Sequence, residues 1–180
     1  MNLPKPARLF MIFGLFSCIA LSPLAKAQQS FDQAVSVRAG VGDHWERFEL
    51  AWEAPAFWQH ALSASQRLEL KGELGAAYWH ASGSRSPTSV WQASATPFLR
   101  WTFNHRYFVE AGVGATVFSR THFADKDIGS AFQFGSHFGV GMNFNSSSSL
   151  SLRISHYSNA GLKSPNPGLD VVQLGYSYKY

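Results

Sequence analysis

Cysteine is nearly absent. The 180-residue chain has one, Cys18, and it lies in the leader described below. A disulfide framework is therefore excluded, although an exported chain would be free to use one. Charge is also sparse, at 14% of residues. Beyond about residue 21 no apolar run approaches the ~20 residues that a membrane-spanning helix needs. No helical period survives past the leader, so nothing points to a bundle or an α/β fold. His44, His60, His80, His105, His122 and His137 show no zinc spacing and no loop has calcium-site acids, so no metal or other cofactor is expected. GVGATVF and GVGMNF look like fragments of a dinucleotide motif, but no helix follows either; in strands such glycines fit a tight interior.

Lys5 and Arg8 precede an apolar run from Leu9 to about Leu21, and LAKA supplies small residues where a signal peptidase reads. Residues 1–27 are expected to be a signal peptide, cut after Ala27. A lipoprotein signal through Cys18 fits less well, because bulky Phe16 stands where a small residue is needed. The leader holds Lys5, Arg8 and Lys26 and no acid, so 15 basic residues become 12 against 11 acids, a net charge of +1. Nucleic acid is not an expected partner. Residues 28–180 then form one domain.

What is present is alternation with a period of two. Val35–Val41, Phe48–Trp52, Leu68–Tyr78, Trp91–Phe103, Tyr107–Val117, Phe132–Met142, Leu150–Ser158 and Val172–Tyr180 each oppose apolar to polar residues. Eight such segments suit a closed antiparallel barrel, either soluble with an apolar inside or membrane-embedded with an apolar outside. The polar face carries Arg38, Arg47, Arg67, Lys71, Arg100 and Arg153 against Glu49, Glu53, Glu69, Glu73 and Glu110. Near-balanced charge suits a paired lumen better than a solvated surface, so the reading is an all-β, eight-stranded antiparallel transmembrane β-barrel, filled and non-conducting. Trp52, Tyr78, Trp79, Trp101, Phe103, Tyr107, Tyr178 and Tyr180 are taken as interfacial girdles. A final strand ending on an aromatic is the usual terminal strand of a bacterial outer-membrane barrel, and the outer-membrane assembly machinery is the partner expected to read it.

With both termini in the periplasm, connections 55–65, 104–106 and 145–149 are periplasmic. Those near 43–46, 80–88, 119–130 and 159–169 face outward. The first outer loop is then shorter than the first periplasmic one, against the usual rule.

Leu150, Leu152 and Ile154 share parity with His156 and Ser158, which puts two polar groups on an oily stripe near its outer end. If the last hairpin pairs symmetrically, Ser158 lies across from Asp170 and His156 diagonally from it, about 5–8 Å between Cβ atoms. A serine needs a base to take its proton, histidine serves near neutral pH, and a carboxylate orients the ring. The plain alternative is a polar triplet at the water interface, where it costs little. Arg85, Arg120, Lys126 and Lys163 in the outer loops either meet lipid phosphates or only solvate those loops.

HYSNAG, followed by PNPG and an acid before an aromatic terminal strand, resembles the lipid A 3-O-deacylase (PagL) family, as do TPFLRW and FVEAGVGA. The resemblance implies an integral outer-membrane enzyme with a Ser-His-acid triad on its outer wall, facing the outer leaflet. Its substrate would be lipid A of lipopolysaccharide, losing the ester-linked 3-hydroxyacyl chain at the 3-position without metal or cofactor. Carried over, His156 is the base, Ser158 the nucleophile and Asp170 the acid; Asn159, Asn166 and Gly168 support the loop and oxyanion site. The family's acid is typically glutamate, one methylene longer. Alternatives from other classes are a non-enzymatic barrel for adhesion or membrane stabilisation and a lipid A acyltransferase. Neither acyl-chain preference nor oligomeric state is legible.

Overall fold

The computed structural model describes residues 33–180; the expected leader, 1–27, lies outside them. Eleven strands form: β1 (Ala34–Val41), β2 (Trp45–Glu53), β3 (Trp58–Ser63), β4 (Gln66–Ala81), β5 (Ser89–Phe103), β6 (Tyr107–Phe118), β7 (His122–Phe123), β8 (Lys126–Asp127), β9 (Phe132–Asn143), β10 (Ser148–Ser158) and β11 (Leu169–Lys179). The main sheet runs β2-β1-β11-β10-β9-β6-β5-β4-β3, and β2 also pairs with β4, which closes it. Counting β2 and β3 as one interrupted staple along β4, this is an eight-stranded antiparallel barrel. Closure leaves β1 paired on both sides, to β2 and to β11. One end carries the termini and short turns (the terminal end); the other carries the longer connections (the loop end).

The expected 55–65 connection is mostly not a loop. Ala54–Phe57, four residues, face only Lys71 and Gly72 of β4, a two-residue bulge at Pro55, whose missing N–H cannot join a ladder. The chain then rejoins β4 as β3, with Trp58 opposite Leu70, and the true turn is Ala64–Ser65. The apparent breach of the loop-length rule was a missed strand.

The wall and the lumen divide by parity. Phe48, Leu50, Leu74, Phe138, Ile154 and Leu174 are each more than half exposed on the outside, an apolar surface far larger than a water-soluble monomer presents. Inside, Arg38, Arg47, Lys71, Arg100 and Arg153 meet Glu49, Glu53, Glu73 and Glu110, all buried. Arg38 reaches Glu49 at 3.0 Å and Glu73 at 2.6 Å; Arg153 reaches Glu73 at 2.8 Å and Glu110 at 2.7 Å; Arg100 bridges Glu110 and Glu53. Arg67 and Glu69, also expected there, pair at the terminal end, where Arg67 is nearly half exposed.

Above the ions, at the loop end, the lumen turns apolar. Trp45, Trp79, Phe118, Phe123, Tyr157 and Leu169 are buried together, with Phe123 and Ile128 delivered by the β7–β8 hairpin folding into the mouth. Trp79 is therefore no girdle residue. Its neighbour Tyr78 takes the outward parity, and adjacent strand residues cannot both face out.

Removing one shared carboxylate tests the lumen network. Glu110→Ala leaves Arg100 and Arg153 each short of an anion, and a loss of about 3–5 kcal/mol is expected. Urea unfolding of the refolded barrel in detergent micelles measures it.

Candidate functional site

β10 and β11 carry alternating jobs. Tyr157, Leu169 and Val171 point inward and are each about 1% exposed; Tyr157 stands edge-on to Trp79 at 5.5 Å and to Phe118 at 6.0 Å. His156, Ser158 and Asp170 occupy the positions between and around them and so point outward. The apolar plug thus braces, from behind, the two strands that present the polar groups.

The register differs from the symmetric expectation by two residues. His156 lies directly opposite Asp170, while Ser158 faces Phe134 of β9 instead of Asp170. The shift accounts for the short acid: directly across a ladder, an aspartate reaches the ring. His156 Nδ1 and Asp170 Oδ1 are 2.7 Å apart, with His156 49% and Asp170 77% exposed on the wall. Trp45 Nε1 donates to the Asp170 carbonyl at 3.0 Å, pinning its backbone to the plug.

Ser158 is half-buried at the end of β10. It shares a face with His156, about 6.6–7 Å along the strand between Cα atoms. With Nδ1 committed to Asp170, Nε2 is the histidine nitrogen left to accept a proton. Among the described residues the Ser158–His156 hydrogen bond is not formed, which is common before substrate tightens such a site. A second histidine–serine contact, His137 Nδ1 to Ser155 Oγ at 2.8 Å, lies buried on the inner side. Substrate on the wall cannot reach it.

The loop after β10 is organised by one side chain. Asn159 is 1% exposed. Its amide nitrogen donates to the carbonyls of Lys163 (2.8 Å), Pro165 (3.3 Å) and Ile128 (3.3 Å), and its oxygen accepts from the N–H of Gly161 (3.0 Å). Its backbone N–H donates to Asn166 Oδ1 at 3.0 Å. Asn159's donors are thus spent inside the loop, whereas Asn166 is exposed, its oxygen anchored and its amide nitrogen not used in that bond. Gly168 has φ +70°, and a Cβ there would sit 2.7 Å from His156 Cε1. Only glycine lets the ring lie against the loop.

Sequence reasoning missed two supports. Gly129 (φ +77°) packs so closely beneath the loop that a Cβ would collide with the Pro165 carbonyl and lie 2.9 Å from Asn159 Nδ2. Trp45 falls within the outer connection expected near 43–46, whereas it opens β2. No local signal marks either, since each acts on a segment distant in the chain. Among the candidate outer cations, Lys126 lies over the Trp45 ring at 4.8 Å and near Asp43, and Arg85 donates to the Ser82 carbonyl; Arg120 and Lys163 are exposed.

Residues 46–179 match the family model described as "Lipid A 3-O-deacylase (PagL)". The chain is 52% identical over 170 residues to "Lipid A deacylase PagL" of Bordetella bronchiseptica, covering 94% of this chain and 95% of that one. It is 31% identical to the protein of the same name from Pseudomonas aeruginosa, covering 90% and 96%. A solved structure, "Crystal structure of the outer membrane enzyme PagL", superposes with a TM-score of 0.75 at 28% identity, covering 82% of this chain and 99% of that one.

Gly129→Val should displace the Asn159 loop while leaving the remote ion network intact. Ester hydrolysis is expected to fall about 10²-fold, the cost of a small misplacement of reacting groups, with the heat-modifiable gel shift of a folded barrel retained. Full activity in the folded variant would show that the clamp is dispensable.

Proposed function

The chain belongs to the lipid A 3-O-deacylase (PagL) family, and from that premise we propose that Ser158, His156 and Asp170 are the triad with which this outer-membrane hydrolase cleaves its substrate. The bond broken is the ester of the 3-hydroxyacyl chain at the 3-position of lipid A. The observation that carries the reading is the 2.7 Å His156–Asp170 hydrogen bond standing on the apolar exterior of a barrel. An imidazole–carboxylate pair is out of place on such a wall unless its substrate arrives there.

Ser158 Oγ attacks the ester carbonyl as His156 Nε2 takes its proton. Asp170 holds the Nδ1–H and stabilises the imidazolium. The oxyanion forms beside the 159–168 loop, where the Asn166 amide nitrogen is the side-chain donor left available; one such donor contributes about 2.7–4 kcal/mol. His156 then protonates the departing sugar oxygen, and water, activated by the same base, releases the fatty acid from Ser158.

The loop end faces the cell exterior in this reading, which sets the triad near the outer-leaflet interface. His156 is two residues from the end of β10 at Ser158, and Asp170 one residue from the start of β11 at Leu169. Lipid A lies in that leaflet, so its ester meets the wall at this height while its chains run down the apolar surface. The terminal strand, with Tyr176, Tyr178 and Tyr180 at alternate positions, is the segment offered to the assembly machinery.

Lipid A from cells making the protein should lose the mass of one 3-hydroxyacyl chain. Ser158→Ala and His156→Ala should lower the rate by roughly 10⁴-fold or more, and Asp170→Asn by about 10⁴-fold. Unchanged lipid A alongside folded wild-type protein, or an active Ser158→Ala, would overturn the triad.

A further inference from the structure

His156 has an inward-facing neighbour on each side, and the two are held differently. Tyr157 is large and is gripped by packing, edge-on to Trp79 and Phe118. Ser155, 0% exposed, has no bulk to pack with. Successive side chains of a strand point to opposite faces and turn together, so a loose Ser155 would let the His156 ring swing about the strand axis. Ser155 is held by hydrogen bonds instead.

Those bonds form one chain across the lumen, and each fixes the next. Arg47 donates through Nε to Gln92 Oε1 at 3.1 Å and through Nη2 to Glu49 Oε1 at 2.6 Å. Its Nη1 donates to Gln173 Oε1. That bond decides which way the Gln173 amide points, because a guanidinium can only donate. Gln173 Nε2 is therefore the end that reaches Ser155, donating to Oγ at 2.8 Å. The hydroxyl still has its own proton to give. Among the described residues its other contact is His137 Nδ1, at 2.8 Å across the β9–β10 ladder. Nδ1 thus accepts, and the ring proton lies on Nε2.

Packing alone does not call for a histidine at position 137. Its ring meets Tyr157 at 5.6 Å, nearly perpendicular, and Phe98 at 5.4 Å, contacts that a phenylalanine would make equally well. Nε2 is buried with no hydrogen-bond partner among the described residues, and such an orphaned group is destabilising. What the histidine adds over a phenylalanine is the acceptor at Nδ1, and that acceptor is spent on Ser155.

Resting on the triad reading above, we infer that His137 is a positioning residue for the hydrolysis: through Ser155 it fixes the angle at which His156 meets Asp170 and the ester. Ser155 and Tyr157 clamp His156 from both sides. His137 touches both of them. Arg47 also reaches both, through Gln173 on one side and with its guanidinium 5.6 Å from the Tyr157 ring centre on the other. The clamp lies inside the lumen and never meets substrate, so it bears on the chemical step and not on binding. A displacement of about 1 Å at the ring slows that step by on the order of 10²-fold.

Steady-state kinetics on lipid A in detergent micelles separates this role from packing. His137→Phe keeps the ring and removes the acceptor; His137→Asn keeps an acceptor at the Nδ1 position and removes the ring. In His137→Phe kcat is expected to fall about 10–10²-fold with KM within about twofold of the wild type, and His137→Asn should recover most of that loss. The reverse order is what packing alone predicts, and it overturns the clamp, as does full kcat in folded His137→Phe. Ser155→Ala is the smaller change and carries the test should His137→Phe not fold. It should lose kcat to the same extent with KM held, and an unaffected kcat there overturns the clamp equally. Where both fold, the double substitution should cost no more than either alone, since one contact is removed twice; additive losses overturn it. Ser177→Ala also deletes a buried lumen hydroxyl, but at the terminal end; it should leave kcat unchanged, and an equal loss there would make the effect general to the lumen and overturn the assignment. Activity in Ser158→Ala would overturn the triad itself, whereas these variants test only what stands behind it.

Discussion

Charge that has been taken out of water must be paired, and this barrel is arranged around that constraint. Five buried cations and four buried carboxylates share the lumen, and Glu53, Glu73 and Glu110 each serve more than one cation. An apolar filling could be as stable, so the network is not evidence of unusual stability. Its consequence is directional. Every strand that puts an ionic residue inward has committed its alternate residues to the outside, where closure of the sheet leaves no backbone group for lipid to desolvate. The greasy wall and the charged interior are one decision written at a period of two.

The same period couples the site to the fold. On β10 and β11, residues facing inward pack into the aromatic plug, and those between them carry the histidine, serine and aspartate. Tyr157 separates His156 from Ser158, so the edge-on packing that anchors Tyr157 on Trp79 and Phe118 also fixes the direction of both neighbours. Trp45 extends this bracing to Asp170 through its carbonyl. A surface-exposed pair is thereby braced by the core behind it without being buried.

Beyond the strands, precision passes to loops that lean on one another. Asn159 gathers its own loop and reaches Ile128 of the preceding connection, and the bare Gly129 allows the two to close. Gly168 then lets the loop approach the His156 ring. In the mechanism proposed above, hydrogen-bond donors of this loop and the aspartate meet the charge that develops during hydrolysis.

Strand identity, inward or outward parity, the filled lumen and the outward direction of His156, Ser158 and Asp170 were legible in the amino-acid order, because alternation is local and a membrane punishes the wrong parity. The family motif around His156 pointed to the chemistry in the same way. Register was not legible. The two-residue shift that sets His156 opposite Asp170 depends on which residues lie across a ladder, and alternation is indifferent to a shift of two. The strand hidden in 55–65 lies beyond a bulge at Pro55 that interrupts the period, whereas the inward turn of Trp79 follows from the alternation itself, given the outward parity of Tyr78. The spent amide of Asn159 and the clamp at Gly129 join segments far apart in the chain. Only closure of the sheet brings those segments together, since hydrogen bonds and van der Waals contacts act across a few ångströms of space whatever the separation in sequence.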